Sequence, residues 1–208
     1  MKGSITVVAF FCLGCILGGL YDLPDFLISG DIAEYVLYLL MLLVGVSIGC
    51  DSQLKEVLRS IKPKLLLVPL ATISGTLLFS ALAALILSRW DVWECLAVGS
   101  GFAYYSLSSI LITELKETDL GIQLASELGT IALIANIIRE IITLVGAPLL
   151  KKYFGPLAPI CAGGATTMDT TLPIISQVSG KNLVFIAIFH GILVDMSVPF
   201  LVSLFCSL

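Results

Sequence analysis

The chain has 208 residues, of which 58% are hydrophobic and only 12% are charged, and its formal net charge is −4 at pH 7. A soluble domain carries about 25% charged residues to keep its surface hydrated, so this composition excludes a cytosolic enzyme. The basic residues lie in short loops and form no patch that could bind nucleic acid. We therefore predict an all-α membrane protein that crosses the bilayer several times as one membrane-embedded domain over residues 1–208.

Five apolar runs are long enough, or nearly so, to span a bilayer, which takes about 20 helical residues. They cover residues 5–20, 32–50, 65–87, 122–150 and 183–205. The first run resembles a signal peptide, but no small-residue cleavage site precedes a soluble domain, so we interpret it as a retained span. The six cysteines lie within or at the ends of apolar segments, and we interpret them as small packing residues.

Two further apolar segments, residues 95–113 and 160–176, differ from these runs because glycine, serine and threonine interrupt them. The first contains Gly99-Ser100-Gly101, and the second contains Gly163-Gly164 followed by a threonine-rich stretch around Asp169. Such sequences make poor continuous helices in lipid, where irregular backbone is tolerated only if protein or a watery cavity surrounds it. We predict two broken segments that re-enter the membrane.

The distribution of lysine and arginine predicts the orientation. The loop after the second span should be cytoplasmic, because cytoplasmic loops are rich in lysine and arginine and this loop carries Lys55, Arg59, Lys62 and Lys64. If residues 95–113 enter from outside and return, Lys151 is cytoplasmic as well, whereas a full crossing would leave it outside. The re-entrant arrangement places one more loop cation inside and is therefore favoured. Its two broken segments enter from opposite faces, each followed by a long span, as in the inverted repeats of many secondary transporters.

Several polar residues lie at membrane depth in the run 122–150, where a charge at the centre of a helix costs about 2.5–3.5 kcal/mol. Glu140 shares one helical face with Asn136 and Thr143 because they are four and three residues apart, and Arg139 is turned about 100° from Glu140. A structural ion pair or a buried polar network is one interpretation. The other is a binding site for substrate or cation.

In the second broken segment, Asp169 and the surrounding threonine hydroxyls would suit a cation such as Na⁺. The candidate hydroxyls belong to Thr166, Thr167, Thr170 and Thr171. Asp169 could also cap a helix that begins at Thr170, and the two roles are compatible.

The last span contains His190 and Asp195. His190 is either a proton relay or a hydrogen-bonded packing residue, and Asp195 should face the bundle or a partner chain. In the first broken segment, Tyr104 and Tyr105 either line a pocket or simply pack, and Tyr105 and Ser106 are candidates for the site.

Three stretches together resemble the bacterial lysine exporter family of the LysO type. They are the first broken segment from Gly99 through Glu114, the Arg139-Glu140 pair in its apolar helix, and the Cys161–Pro173 stretch with its Ala-Thr-Thr-Met-Asp-Thr-Thr-Leu-Pro core. His190-Gly191 also fits the last helix of that family. The resemblance covers the chain from about residue 35 onward.

The resemblance implies a bacterial inner-membrane exporter of L-lysine and analogues such as thialysine, working without a cofactor. Export would be exchanged for a cation, H⁺ or Na⁺, with Glu140 and Asp169 as the two essential acidic residues. Asp195 falls where the family leads us to expect an uncharged residue.

Better-known members of that family carry an additional hydrophobic region before the part that matches residues 35–50. We therefore expect either a separate small membrane protein that supplies it or a homo-oligomer. The rival functions are a passive pore and a non-transporting subunit of a larger assembly. An intramembrane aspartyl protease built on Asp169 and Asp195 lacks its expected Gly-x-Gly-Asp motif, so we do not expect an enzyme.

Overall fold

The computed structural model describes residues 63–208 continuously and, before them, only the isolated helical residues 13, 16–18, 35, 39 and 46. The predicted spans 5–20 and 32–50 therefore lie almost entirely outside the described residues. The loop cations Lys55, Arg59 and Lys62 lie outside them as well.

Residues 63–208 form helices and no strands, which agrees with the predicted all-α class. The first α-helix of this range is α1, Leu67–Ala83, and it follows a 3-10 helix at Pro63–Leu66. The first broken segment and the helix after it form α2 (Val92–Gly99), α3 (Tyr105–Leu120) and α4 (Ile122–Phe154). The second broken segment forms α5 (Ala158–Gly163), a 3-10 helix at Gly164–Met168 and α6 (Leu172–Ser179). A 3-10 helix at Lys181–Leu183 then leads into α7 (Val184–Cys206).

Two stretches of the described chain are long and apolar enough to cross a membrane, namely α4 and Lys181–Cys206. They correspond to the predicted spans 122–150 and 183–205. The predicted span 65–87 corresponds to α1, which is apolar but has only 17 residues. Its helix ends at Ala83, and the apolar residues that follow form turns instead.

Local signals in the sequence explain where these helices begin and end. At the start of α2, the side chain of Asp91 accepts a hydrogen bond from the Glu94 amide, and the Glu94 carboxylate accepts one from the Asp91 amide. This capping box satisfies two amides that have no partner within the helix. Gly121 and Gly155 flank α4 with φ values of 78° and 89°, which glycine adopts without steric cost.

The helices α2 and α3 form a hairpin that opens at one end of the bundle. Nη2 of Arg89, just before α2, lies 2.6 Å from Oε2 of Glu127 in the first turns of α4. The rings of Trp93 in α2 and Phe205 at the end of α7 stack 6.3 Å apart. The start of α2, the start of α4 and the end of α7 therefore share one end.

The helices α5 and α6 form a second hairpin that opens at the opposite end. Nζ of Lys151, in the last turn of α4, donates a hydrogen bond to the carbonyl oxygen of Val178 near the end of α6, at 2.7 Å. Because α4 is one continuous helix between these two ends, the hairpins point toward each other from opposite directions. The described core fills the space around the first hairpin and α7, with Phe102, Leu107, Val194 and Val198 among its buried members.

Candidate functional site

Each hairpin has a tip, which is the stretch between its two α-helices: residues 100–104 in the first hairpin and residues 164–171 in the second. The two tips contact each other. The amide of Ala165 donates a hydrogen bond to the carbonyl oxygen of Phe102 at 2.9 Å. Gly164, with φ 60°, makes this approach possible, because a Cβ at that position would collide with the Phe102 carbonyl. Both broken segments predicted from the sequence are thus interrupted, and the interruptions touch each other.

Asn136 of α4 holds the first tip. Its Oδ1 accepts a hydrogen bond from the amide of Ala103 at 2.7 Å, and its Nδ2 donates to the carbonyl of Ala132 at 2.8 Å. Phe102 and Ala103 have φ values of 43° and 74°, a conformation that costs a residue other than glycine about 1–3 kcal/mol. Asn136 is buried, so its amide group stabilises a strained turn that water does not reach. It positions the tip.

Arg139 of α4 holds the second hairpin. Its Nε and Nη2 donate hydrogen bonds to the carbonyl oxygens of Ala162 and Cys161, at 2.9 and 3.1 Å, and Nη1 donates to Thr76 of α1 at 3.3 Å. The two carbonyls lie at the end of α5, where they have no partner within the helix and where a cation is favoured. The guanidinium also lies over the ring of Phe102, 5.6 Å from its centroid. Arg139 thereby links both hairpins and α1.

Glu140 is 1% exposed and lies on the buried face of α4. Asn136 and Thr143, which the spacing places on the same face, are buried with it. The charges of Glu140 and Asp169 interact through space, and the phenol of Tyr105 interacts with both. The structure therefore brings together three of the residues expected to form the site. Tyr105 and Ser106 are half-buried in the first turn of α3.

Asp169 follows the 3-10 helix of the second tip and is exposed. Its Oδ1 accepts a hydrogen bond from the amide of Thr170. The helix α6 begins at Leu172, its N-cap is Thr171, and that cap has no side-chain hydrogen bond. The alternative that Asp169 caps a helix starting at Thr170 is therefore wrong, and the carboxylate has no capping role.

The threonines near Asp169 are divided between the inside and the surface. The hydroxyl of Thr166 donates to the carbonyl of Gly163 at 2.8 Å, and that of Thr167 donates to the carbonyls of Gly164 and Ala187. Thr170 is exposed. Over the part of the chain that the structure describes, no three His, Cys, Asp or Glu side chains converge as a metal site would require. A Na⁺ ion here would depend on hydroxyl and carbonyl oxygens in addition to the Asp169 carboxylate.

His190 of α7 is fully buried between α1 and the second tip. Its Nε2 lies 2.9 Å from the hydroxyl of Thr72, and its Nδ1 lies 3.2 Å from the hydroxyl of Thr167. The next residue, Gly191, packs so closely that a Cβ would lie 2.7 Å from the amide of Met168. These contacts tie α7 to the second tip.

The sequence did not lead us to predict the roles of two residues of α1. Thr72 contacts His190, and Thr76 contacts Arg139. A signal was present, because Thr72, Thr76 and Ser80 follow one another at intervals of four and form a polar stripe on an apolar helix. A mainly apolar cavity of about 220 Å³ lies beside this stripe, with Asn136 and Arg139 in its wall. Glu140 and Asp169 do not line it.

Helical hairpins that enter a bundle from opposite ends and meet at their interrupted tips are typical of secondary transporters. This architecture resembles that of membrane transport proteins. A family model described as "Lysine exporter LysO" matches residues 8–206, and the chain belongs to this family.

Two curated relatives support the assignment. The chain is 31% identical over 202 residues to the lysine exporter LysO of Escherichia coli strain K12, covering 96% of this chain and 62% of that protein. It is 34% identical over 174 residues to a putative lysine exporter of Haemophilus influenzae, covering 83% of each chain. The chain thus spans less than two thirds of the length of the Escherichia coli relative. No solved structure matches the chain significantly.

Proposed function

We propose that this chain exports L-lysine, and analogues such as thialysine, across the bacterial inner membrane in exchange for H⁺ or Na⁺. Family membership and the names of both relatives support lysine as the substrate. The observation that carries the proposal is the contact between Phe102 and Ala165, which brings two interrupted helices together beside Glu140 and Asp169. Transporters of this type bind substrate where such helices meet.

The contacts at the ends of the bundle support a multi-pass arrangement with two re-entrant hairpins. The ion pair between Arg89 and Glu127 keeps the start of α4 on the same side as the loop between α1 and α2. A full crossing by residues 95–113 would separate these two side chains by the thickness of the membrane. With Lys151 and Lys181 at the other end, the excess of cations favours that end as cytoplasmic.

The chemistry of lysine matches the groups at the hairpin tips. Lysine carries two ammonium groups and one carboxylate, so a site for it must neutralise a net positive charge. In the proposed mechanism Glu140 and Asp169 bind an ammonium group or the driving cation, and competition between these ligands enforces exchange. The first turns of α3 and α6 start at the tips, and their free amides offer a positive environment for the substrate carboxylate. Arg139 is committed to the α5 carbonyls and acts as a positioning residue.

A second membrane polypeptide, or a second copy of this chain, is part of the proposal. The described bundle exposes apolar side chains that a partner could cover: Leu78 and Phe79 of α1 are 59% and 72% exposed. Such residues face either lipid or another helix.

The proposal is tested by measuring radiolabelled lysine accumulation in inside-out vesicles from a bacterium without other lysine exporters, with an acidic or Na⁺-loaded lumen. The chain is expressed alone and together with any small membrane protein encoded beside it. Glu140→Gln and Asp169→Asn should each abolish accumulation, whereas Glu117→Gln, a matched change of an exposed carboxylate in α3, should not. Normal transport by both site variants would reject the assignment. If lysine never becomes more concentrated inside the vesicles than outside, and its flux does not depend on the H⁺ or Na⁺ gradient, the protein is a passive pore.

A further inference from the structure

Asp195 of α7 is a buried carboxyl group to which the mechanism above gives no role. It is 4% exposed, and its Oδ2 has no hydrogen-bond partner anywhere in the described range 63–208. A carboxylate held away from water is costly unless a proton or a cation neutralises it. The group therefore requires a ligand that the described side chains do not supply.

The position of Asp195 on α7 directs it toward the hairpin tips. Gly191 lies one helical turn earlier on the same face, and it is where α7 touches the second tip, at Met168 and Thr167. Asp195 interacts electrostatically with Asp169, the residue that follows Met168. The phenol of Tyr104, from the first tip, interacts with both carboxyl groups. Asp195 thus stands beside the candidate site, between the two tips.

The described titratable groups that interact with Asp195 come from the two hairpins. The first hairpin contributes Tyr104, the second contributes Asp169, and Glu140 of α4 interacts with Asp169. On α7 itself, His190 is hydrogen-bonded to two threonines.

The described basic side chains in this part of the bundle bind other groups. Arg139 donates to the carbonyls at the end of α5, and Lys116 pairs with Asp119 in the last turns of α3. Among the residues that the structure describes, the surroundings of Asp195 are therefore acidic or neutral.

We propose that Asp195 is the proton-binding group of the exchange: its carboxyl holds a proton while the site is empty and releases it when a substrate ammonium binds beside Asp169. The inference rests on the proposed function. Two neighbouring carboxylates repel each other, so an empty site favours a proton on one of them. A bound ammonium group removes that repulsion and allows both to ionise.

The proton balance follows directly. On the cytoplasmic side, the O–H bond of Asp195 breaks as lysine binds, and the proton passes to cytoplasmic water. On the outer side lysine leaves, and outer water returns a proton to the carboxylate. One proton enters for each lysine exported, and because lysine carries one net positive charge the exchange is electroneutral.

The first test counts protons. The purified full-length chain in detergent, in weak buffer with a pH-indicator dye, is mixed with lysine, and bound lysine is measured in parallel. Wild-type protein and Glu117→Gln should each release about one proton per lysine bound, as linkage between the two ligands requires. Asp195→Asn should bind lysine and release almost none. Lysine binding by wild-type protein without proton release would overturn the proposal and leave lysine export standing. Failure of wild-type protein to bind lysine would instead count against the proposed function itself.

The second test separates coupling from transport in inside-out vesicles. Asp195→Asn should lose accumulation driven by an acidic lumen but retain lysine-for-lysine exchange across the membrane. Retention of both activities, or loss of both with normal insertion, would overturn the assignment. If Asp195→Asn fails to insert, Asp195→Val is measured in its place, since it removes the polar group and matches the flanking Val194 and Val198 in shape. Lysine binding by wild-type protein without proton release would overturn the assignment independently of either variant.

Discussion

The carbonyl oxygen of Phe102 and the amide nitrogen of Ala165 lie 2.9 Å apart, and through this bond the two hairpins touch. A single hydrogen bond contributes only about 0.5–1.5 kcal/mol net, so it cannot by itself keep two interrupted helices in register. The register depends on the long helices instead. Asn136 and Arg139 of α4 fasten one hairpin each, and His190 of α7 fastens the second from another side.

Gly164→Ala should separate the two tips. The new methyl group would collide with the carbonyl of Phe102, and φ 60° is unfavourable for alanine. We expect a clear loss of thermal stability in detergent and loss of lysine transport at normal expression. Gly146→Ala is the matched control, because a Cβ there meets only Ile142, at 3.9 Å. Equal behaviour of the two variants would contradict the close approach of the tips.

Asn136→Ala should loosen the first tip. The amide of Ala103 would lose its acceptor in a buried place, which costs about 1–3 kcal/mol. We expect a lower melting temperature together with a lower maximal rate of lysine transport. Asn182→Ala, at an exposed position before α7, should change neither quantity. Wild-type rate and stability in Asn136→Ala would show that the strained turn keeps its conformation without the hydrogen bond to Asn136.

Arg139→Lys tests whether this residue positions the hairpin or contacts substrate. Lysine keeps the charge but cannot reproduce the planar donors that reach the carbonyls of Cys161 and Ala162. We expect a lower melting temperature and a lower maximal rate, with little change in the KM for lysine. Arg89→Lys, in the exposed ion pair with Glu127, is the control and should be nearly silent. A large rise in KM at unchanged stability would indicate direct substrate contact.

His190→Gln distinguishes a packing histidine from a proton relay. The ring bridges the hydroxyls of Thr72 and Thr167, and we expect its loss to destabilise the protein by roughly 1–3 kcal/mol. The pH profile of the remaining transport should keep the wild-type shape across the range in which histidine titrates. Thr72→Val, which removes only the partner of Nε2, should destabilise less. A shifted pH profile in His190→Gln would instead support a role of His190 as a proton relay.

Accessibility labelling tests the orientation of the hairpins. In a background without native cysteines, single cysteines at Arg89 and Glu127 should react with a membrane-impermeant reagent from outside. Cysteines at Lys151 and Lys181 should react only from the cytoplasmic side. The two groups lie at opposite ends of α4. A full crossing by residues 95–113 predicts that Arg89 and Glu127 label from opposite faces.

Much of this arrangement could be predicted from composition and spacing. Glycine and serine at Gly99–Gly101 and glycine at Gly163-Gly164 indicated interruptions, and the structure breaks the helices there. The spacing of Asn136, Glu140 and Thr143 predicted one shared face, and all three are buried. These properties are local, because each depends on the types and spacing of a few residues that are close in the sequence.

The partners of the buried side chains could not be predicted in the same way. Arg139 bonds to backbone carbonyls of α5, and every residue has a carbonyl, so no residue type marks them. The contact of His190 with Thr72 depends on how α1 packs against α7, which is a matter of tertiary geometry. The capping interpretation of Asp169 failed because α6 starts two residues after Thr170, at Leu172.

The length of α4 carries a consequence for the lipid around the protein. Its 33 residues rise about 50 Å at 1.5 Å per residue, whereas the hydrocarbon core of a bilayer is about 30 Å thick. The helix must therefore tilt or extend into the headgroups, and the degree of tilt follows the thickness of the membrane. Because both hairpin tips are fastened to this one helix, a thinner or thicker bilayer would change the depth at which the tips lie. Exchange rates should accordingly vary with the acyl-chain length of the host lipid.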